Sequence, residues 1–558
     1  MEFLDARRLT GPSLLADVPG AILDVACDAK EAEALVPVWT KHVERMLEDL
    51  GWDDSNLSLT YLSAGVSLFF TAPIDALYAA SEVNEWAWAA SEAEMNGTLA
   101  PDYEEALTAI RAAIAEEANA ELLQLAAEAD ANDRTFLWDD DEASVGLGKH
   151  SKTWPVREIP ELSKLDWSQF GDIPIGLVTG TNGKTTTVRL ATHIMRTAEQ
   201  NVGLSSTDWI AVNDKILDRG DWSGPGGARA VLREPSVDVA ILESARGGLL
   251  RRGLGVNAAD VALITNIAED HLGDFGSQNL AELMDIKWIV SRAVVGCGKL
   301  ILNADDKLLV SKADRYPGDI IWFSLHADNE RVEQHVAAGG TAFVLDEPDL
   351  VMLAGESRDV ICSPSDIAIT LDGAARHNVA NCLAAAALTM SLGADLQDVR
   401  SGLMSMSQDD NPGRCNVHDV DGYKVLVDFA HNPHAMQALF GMAQALPAKR
   451  RVLCFGQAGD RPDQAIRELA RDAWAIGLDK VIVSELADYH RGRGEGEVFA
   501  IIKDELLQQG ASADQVEHFD EETESLAAAM EWAGAGDLVI MLALGGAAKI
   551  QSLLTPET

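Results

Sequence analysis

Apolar positions in the first part of the chain predict a mixed unit of helices and strand. Helical spacing of apolar residues predicts a helix over 32–50, and the largely apolar run 57–70 (LSLTYLSAGVSLFF) predicts a strand. Alanine- and glutamate-rich stretches within 76–129 predict further helices. The acidic run 139–142, together with the Gly-, Ser- and Pro-containing stretch after it, predicts a solvated linker.

A different periodicity begins near Ile173 and continues toward the C-terminus. Short apolar runs of the buried-strand type alternate with helical segments, which is typical of parallel α/β sheets. One group of such strands precedes residue 306, and a second group begins at Val425. The pattern therefore predicts two successive α/β sheets.

Composition narrows the class of protein. The 558 residues include 89 acidic and 44 basic side chains, a net charge of −45, which argues against a nucleic-acid partner. The acidic excess fits a solvated, self-repelling surface, or alternatively the steering of a cationic substrate such as arginine or lysine. No apolar run of membrane-spanning length and no signal-peptide pattern occurs, so we expect a cytoplasmic protein without a membrane partner. The six cysteines are scattered, which favours small core residues over zinc or disulfides.

The stretch Gly176–Thr187 (GLVTGTNGKTTT) joins a predicted strand to a predicted helix through a glycine-rich loop. Such a loop presents backbone N–H groups at a helix N-terminus, where the helix dipole favours phosphate. Lys184 then reaches the outer phosphates, and the Thr185 hydroxyl binds Mg²⁺. Val178 stands where the general phosphate-loop motif has its first glycine, so the motif is a variant form. We predict ATP contacts from the whole loop: Gly180, Thr181, Asn182, Gly183, Lys184, Thr185 and Thr186.

Two further polar residues lie directly after predicted strands. Glu243 ends the strand-like run 237–242, and His271 lies just past the run 261–265. Ligands of open parallel sheets bind beyond the carboxyl ends of the strands. The sequence therefore predicts a metal–phosphate site formed by the loop, Glu243 and His271.

Two weaker candidates follow along the chain. By pattern alone, Lys287 is a solvated lysine whose stem packs on its helix. Asn378 and Asn381 are three residues apart and share a helix face, and an amide carries the donor and the acceptor needed to contact an adenine edge. An asparagine near a helix start is also commonly a cap.

Together these observations predict an α/β protein of three domains. They are an N-terminal α+β domain with a possible role in substrate docking (1–165), a central P-loop ATPase-type parallel sheet (166–410) and a C-terminal Rossmann-like α/β domain (411–558). The turn after the strand at 452–455 does not fit GxGxxG, so we expect no dinucleotide site.

Four motifs in order resemble the Mur ligase superfamily. They are GTNGKTTT, LESARGGLLRRGL with NIAEDHLG, RHNVANCLAAAA, and PGR followed by VLVDFAHNP. Within that superfamily, ESARGGLLRRGL, NIAEDHLG and HRGRGEGE resemble the C-terminal ligase half of the cyanophycin synthetases, over about residues 170–558. RRLTGPSLL faintly resembles the opening of their N-terminal domain. Those synthetases also have an ATP-grasp domain, for which we expect no room in this chain.

The resemblance implies an ATP-dependent amide ligase that activates a carboxylate of an acidic amino acid or peptide as an acyl phosphate. An amino-acid amine then attacks, and ADP and phosphate are released. It implies one Mg²⁺ held by Thr185 and Glu243 and a second held or oriented by His271. Lys287 stands where several Mur ligases carry a carbamylated lysine, which would be a further metal ligand, while other members lack that lysine. The resemblance further implies adenine contacts from Asn378 and Asn381, and nucleotide contacts from Arg414 and Asp428 on domain closure. It also implies that the substrate is contacted by Arg246, His431 and Asn432. Phe429 replaces the usual tyrosine. Family members also suggest a homo-oligomer.

Two alternatives remain open from the sequence. The same fold could serve a muropeptide-type or folylpolyglutamate-type ligase. The chain could also be a non-catalytic ATP-binding partner of another ligase. A protein that only binds ATP has no need of all six predicted catalytic and metal-binding side chains, so their presence argues against the second alternative: Lys184, Thr185, Glu243, His271, Arg414 and Asp428.

Overall fold

The computed structural model describes residues 1–270, 278–486 and 489–554. Its chain divides into two compact units. Unit 1 comprises Met1–Asp346, Val351–Ile361 and Cys382–Gly402, and unit 2 comprises Glu347–Leu350, Cys362–Asn381 and Leu403–Thr558. In the described residues, no helix is long and apolar enough to cross a membrane.

The N-terminal part of unit 1 is an antiparallel sheet covered by helices. Its elements are β1 (Glu2–Leu9), β2 (Gly20–Ala26), α1 (Ala29–Leu50), β3 (Leu57–Leu62), β4 (Gly65–Thr71), α2 (Leu77–Asn96), α3 (Tyr103–Glu117) and α4 (Ala120–Ala131). The strand order is β1-β2-β4-β3. Asp28 and Glu31 form a capping box that starts α1, and Gly51 ends it in the left-handed conformation. The helix predicted over 32–50 is confirmed.

Two predictions for this region are wrong. The run 57–70 is not one strand but the hairpin β3–β4, because the chain turns at Ser63–Ala64. The acidic stretch 139–142 is not a solvated linker. It lies within a small antiparallel sheet whose strands are β5 (Phe136–Trp138), β6 (Glu142–Val145) and β7 (Lys152–Pro155). Arg8 pairs with Asp140 and Arg233 with Asp139, so the acidic residues neutralise arginines that are themselves largely buried.

The central sheet of unit 1 carries the glycine-rich loop. Its first twelve elements in chain order are β8 (Ile175–Thr179), α5 (Lys184–Thr197), β9 (Val202–Ser205), β10 (Trp209–Val212), β11 (Lys215–Arg219), α6 (Pro225–Leu232), β12 (Val239–Glu243), α7 (Arg246–Arg252), β13 (Ala259–Ile264), α8 (Leu280–Trp288), β14 (Val294–Asn303) and α9 (Lys307–Ala313). The later elements are β15 (Asp319–Ser324), α10 (Glu330–Ala337), β16 (Thr341–Asp346), β17 (Asp349–Ala354), β18 (Ser357–Cys362), α11 (Arg376–Ser391) and α12 (Leu396–Ser405). Within them, residues 349–350, 362, 376–381 and 403–405 belong to unit 2.

The order of these strands places β8 between β12 and β13. Among the described residues the order is β11-β10-β9-β12-β8-β13-β14-β15-β16-β17-β18, and the strands from β9 to β16 are parallel. The chain leaves β8 toward one side of the sheet and later returns to β13 on the other side. Such a reversal opens a crevice at the carboxyl ends of the strands. β8, β12 and β13 are buried throughout, apart from Asp260.

The C-terminal part of unit 2 is a smaller α/β sheet. Its elements are β19 (Asn416–Val420), β20 (Tyr423–Asp428), α13 (Pro433–Ala445), β21 (Arg451–Phe455), α14 (Asp463–Ala475), β22 (Lys480–Ser484), α15 (Glu497–Gln508), β23 (Val516–Phe519), α16 (Glu522–Trp532), β24 (Leu538–Leu542) and α17 (Ala547–Leu554). The order is β19-β20-β24-β21-β22-β23, with only β19 antiparallel to its neighbour in the described sheet. Separate apolar clusters cover its two faces.

These sheets confirm the predicted fold class of an N-terminal α+β part, a central parallel-rich sheet and a C-terminal α/β part. The domain boundaries near residues 165 and 410 stay predictions. The N-terminal sheet belongs to the same compact unit as the central sheet.

Candidate nucleotide and metal site

The glycine-rich loop connects β8 to α5, as the motif predicts. Lys184 is the first residue of α5, and Gly183 precedes it with a φ of 86°. Gly180 has a φ of 143°, and a Cβ there would lie 1.8 Å from the Thr265 hydroxyl oxygen. Both positions therefore require glycine. The loop ends at the N-terminus of a 14-residue helix, which is the geometry that binds phosphate.

The segment after β13 holds this loop in shape from the side. The Asn266 side chain accepts from the Asn182 N–H (3.0 Å) and donates to the Asn182 carbonyl (2.9 Å). The Thr265 hydroxyl donates to the same carbonyl at 2.6 Å. The Thr181 hydroxyl contacts both backbone groups of Ala268. The protein's own hydrogen bonds thus fix the shape of the loop, which reduces the ordering cost of binding.

Thr185, in the first turn of α5, lies beside Glu243, at the carboxyl end of β12. The Thr185 hydroxyl is 3.0 Å from Glu243 Oε2, and the Glu243 side chain is 2% exposed. Among the described residues, its hydrogen bonds come from neutral hydroxyl and N–H groups, and the nearby Lys287 amine donates to the Gly180 carbonyl instead. A buried carboxylate without a cationic partner is costly unless a metal ion neutralises it. A hydroxyl and a carboxylate oxygen are hard ligands of the kind that Mg²⁺ prefers, so these residues fit that ion.

Thr207, which the sequence analysis missed, completes this group. Its hydroxyl donates to Glu243 Oε1 at 2.8 Å and its N–H to Oε2 at 3.3 Å. Thr207 follows β9, the strand next to β12, so the rule that found Glu243 at a strand end could also have found Thr207. These two bonds set the direction of the carboxylate.

Lys287 is buried, contrary to the prediction from pattern alone. Its side chain points inward from α8, and its Nζ donates to the Gly180 carbonyl at 2.8 Å. Burial, followed by the nearby charge of Lys184, lowers the pKa of Lys287 well below its ordinary value. Lys287 lies on the same buried side of α8 as Leu283 and Ile286. The prediction from pattern failed because a lysine is ordinarily expected in solvent, whatever side of the helix it occupies.

Other predicted residues of unit 1 are placed as follows. The Lys184 Nζ donates to the Thr181 carbonyl at 3.0 Å, which keeps the ammonium over the loop. Thr186 is buried in the first turn of α5. Arg246 is half-buried and begins α7, just beyond Glu243. His271 lies outside the described residues.

The predicted adenine residues of unit 2 lie in the first turns of α11. Asn378 and Asn381 are both largely buried. Asn378 donates to the Ile369 carbonyl at 2.8 Å and accepts from Asn381 Nδ2 at 3.2 Å. The shared helix face is therefore confirmed, while the contact with adenine stays a prediction.

Arg414 and Asp428 belong to neighbouring segments of unit 2. Asp428 ends β20 and accepts the N–H groups of Cys415 and Ala430, both at 2.8 Å. The Arg414 guanidinium lies 4.4 Å from the centre of the Phe429 ring. The two side chains are thus held by the same pair of segments, 413–415 and 428–430.

The predicted substrate residues His431 and Asn432 follow directly. His431 Nδ1 lies 3.0 Å from the Phe429 carbonyl, and Arg461 donates to the His431 carbonyl at 2.8 Å. Asn432 is fully buried, and its side chain caps α13 by accepting the Ala435 N–H. The structure thus gives Asn432 a structural task, and its contact with substrate stays a prediction.

Comparison with known families defines the class of this chain. The Mur ligase middle domain matches residues 178–389, and the Mur ligase glutamate ligase domain matches residues 413–545. The chain therefore carries the middle and C-terminal domains of a Mur ligase, with the glycine-rich loop and Glu243 in the middle domain.

Among curated relatives, the chain is 35% identical over 371 residues to the cyanophycin synthetase of Crocosphaera subtropica. That match covers 66% of this chain and 42% of the relative, so this chain spans about two fifths of the length of such relatives. It is 29% identical over 259 residues to the Escherichia coli UDP-N-acetylmuramoyl-tripeptide--D-alanyl-D-alanine ligase, covering 44% and 53% of the two chains. The solved structure of E. coli FolC in complex with DHPP and ADP shares the fold, with a TM-score of 0.50, 20% identity, and 68% and 88% coverage.

Proposed function

We propose that this protein is an ATP-dependent ligase that joins a carboxylate of an acidic amino acid or peptide to the amine of an amino acid. The observation that carries the proposal is the buried Thr185–Glu243 pair beside a preformed phosphate loop. The 35% identity to cyanophycin synthetases and the two ligase domains support an amide-forming reaction. The acidic net charge supports a cationic amine donor such as arginine or lysine.

In this proposal the substrate carboxylate attacks the γ-phosphorus of ATP, and ADP leaves. The amine nitrogen then attacks the acyl phosphate, and phosphate leaves as the amide forms. The backbone N–H groups of the loop bind the phosphates, and Lys184 neutralises charge on the phosphoryl group as it is transferred. Arg414 and Asp428 act on the nucleotide, and Arg246, His431 and Asn432 shape the acceptor side.

One Mg²⁺ held by Thr185 and Glu243, and a second held or oriented by His271, would neutralise phosphate charge when bound. The Thr207 hydroxyl orients the Glu243 carboxylate, which would supply an oxygen ligand to the ion. Lys184 and the loop N–H groups meanwhile fix the direction of the transferred phosphoryl group.

We also propose that the Lys287 amine is carbamylated. Its lowered pKa supplies the neutral amine that attacks CO₂, and loss of one proton leaves a carbamate anion near Glu243 and the loop. Protein equilibrated with ¹³C-bicarbonate should show one carbamate carbon signal by NMR that is missing in Lys287→Met. A spectrum without that signal would remove Lys287 from the metal site.

The ligase proposal is tested by mass spectrometry with ATP and Mg²⁺. Aspartate- and glutamate-containing peptides, with and without arginine, are crossed with a panel of amino acids. We expect a product heavier by one amino acid minus water, formed with one ADP per bond, and we expect Lys184→Ala to abolish it. The control Lys307→Ala changes an exposed lysine at the start of α9. Ligation that continues unchanged in Lys184→Ala would contradict the assigned role, and neither ADP nor product across the panel would contradict the proposed function.

A further inference from the structure

Three side chains of unit 2 form a chain of contacts that the proposed mechanism does not use in full. His377 Nε2 lies 3.1 Å from Cys415 Sγ, and Cys415 Sγ lies 3.2 Å from Asp428 Oδ2. His377 belongs to the first turn of α11, Cys415 follows Arg414, and Asp428 ends β20. The thiol therefore connects the helix of the predicted adenine residues with the segments that carry Arg414 and Asp428.

The backbone of Cys415 is held in an unfavourable conformation. Its φ is 54°, in the left-handed region that a cysteine seldom adopts. Its N–H donates to the same Asp428 oxygen that its thiol contacts, at 2.8 Å. Two donors of one residue thus meet one carboxylate oxygen, and the bond energy offsets the strain of the left-handed turn.

Burial determines where the protons lie. Cys415 is 3% exposed, and burial, with Asp428 next to it, raises the pKa of its thiol well above the ordinary value. Burial lowers the pKa of His377, so its imidazole is neutral. His377 Nδ1 is buried and has no hydrogen-bond partner among the described residues, so the proton belongs on Nε2, where it has an acceptor. His377 then donates to the sulfur, and the S–H donates to Asp428.

This arrangement is unsuited to a nucleophilic cysteine. A Cys–His–Asp nucleophile needs a thiolate with a lowered pKa and access to substrate. Here the thiol is protonated and buried, and it donates to a carboxylate. Its chemistry is that of a hydrogen-bond bridge.

We infer that Cys415 is a positioning residue of the proposed ligase, whose thiol joins His377 to Asp428 and thereby holds Arg414 in place for the nucleotide. The inference rests on the proposed function, in which Arg414 and Asp428 act on ATP. The adjacent Arg414 guanidinium packs over Phe429, the residue after Asp428, so a shift of the 413–415 turn against β20 moves both side chains.

The test compares Cys415→Ala, which removes the bridge, with Cys415→Ser, whose hydroxyl can still accept and donate. Steady-state kinetics use the peptide and amino acid identified by the ligase screen. We expect Cys415→Ala to lower kcat about 10-fold or more, which is the size of loss seen when a side chain that orients a functional residue is removed. The KM of the amine should change little. Cys415→Ser should recover most of that loss. The matched control Cys454→Ala removes another fully buried thiol of unit 2 and should keep wild-type kcat.

Three results separate the possibilities. Wild-type kcat in Cys415→Ala would overturn the inference while leaving the ligase intact. Equal losses in Cys415→Ala, Cys415→Ser and Cys454→Ala, with lowered melting temperatures, would assign Cys415 to packing only and overturn it as well. A wild-type protein without ligase activity would overturn the proposed function itself. If Cys415→Ala does not fold, His377→Gln, which keeps an N–H donor, is compared with His377→Leu, and only the latter should lose kcat.

Discussion

At the scale of single residues, the site depends on how one carboxylate is directed. The two oxygens of Glu243 accept hydrogen bonds from the hydroxyls of Thr185, in the first turn of α5, and Thr207, which follows β9. Such hydrogen-bond partners orient a carboxylate that binds a metal ion. Asp428 is oriented in a similar way, because its two oxygens accept the N–H groups of Cys415 and Ala430.

We predict that Thr207→Val weakens Mg²⁺ binding without abolishing it. Loss of the hydroxyl frees Glu243 Oε1 from a 2.8 Å hydrogen bond, and lost outer-sphere bonds cost about 10–100-fold in metal affinity. A Mg²⁺ titration of ATP turnover should show a half-saturating concentration higher by about that factor. Thr207→Ser keeps the hydroxyl and should resemble wild type. Identical titrations of the valine variant and wild type would show that Thr207 does not direct Glu243.

At the scale of elements, Glu485 connects two strands and one helix of the C-terminal α/β part by hydrogen bonds. It follows β22 and is 8% exposed. It accepts the N–H of Gly496, which caps α15, at 3.1 Å, and the Nε2 groups of His490 and His518 at 3.2 and 2.7 Å. His518 lies in β23 and stacks on Phe499 of α15, with ring centres 4.3 Å apart. One carboxylate thus ties β22, β23 and α15 together.

We predict that Glu485→Gln lowers the free energy of unfolding by about 1–3 kcal/mol near neutral pH. Burial opposes ionisation of Glu485, but the Gly496 N–H and then the histidines outweigh it and lower its pKa. A lowered carboxyl pKa means that the stabilisation is present above the unfolded pKa, about 4.3, and is lost as pH falls through the folded pKa. Urea unfolding at several pH values should therefore show the wild-type advantage shrinking in acid. The exposed neighbour Glu495→Gln is the control, and an advantage independent of pH would contradict the prediction.

At the scale of the whole molecule, the dominant property is the net charge of −45. Because acidic residues outnumber basic ones two to one, ion pairs such as Arg8–Asp140 leave about half of the acidic side chains without a basic counterpart. The uncompensated charges repel one another in the compact state.

We predict that the melting temperature rises with salt. Raising NaCl from about 0.05 M to about 1 M shortens the Debye length to about 3 Å and screens the repulsion between surface carboxylates. Thermal unfolding followed by circular dichroism should show the rise, and choline chloride at equal ionic strength should reproduce it if screening is the cause. A melting temperature that stays constant or falls would show that surface repulsion contributes little to stability.

Local sequence determined the elements whose cause is local. The phosphate loop could be predicted because Gly180 and Gly183 need backbone conformations that only glycine adopts easily, and α1 because its cap and its apolar spacing lie within the same segment. Glu243 was found because a strand end is visible in the sequence as the end of an apolar run.

Only the tertiary structure decided which distant residues meet. The pattern around Lys287 indicates solvent, but the packing of α8 places its amine on the Gly180 carbonyl, 107 residues away. Cys415 carries no sequence signal of its own, and Thr207 carries only its place after a strand, because their partners His377 and Glu243 come from other elements. The sequence of the acidic run 139–142 predicts a solvated loop, but in the folded protein Arg8 and Arg233 form ion pairs with it. Residue type and periodicity specify the elements, whereas the pairing of buried charges depends on long-range packing that one sequence does not display.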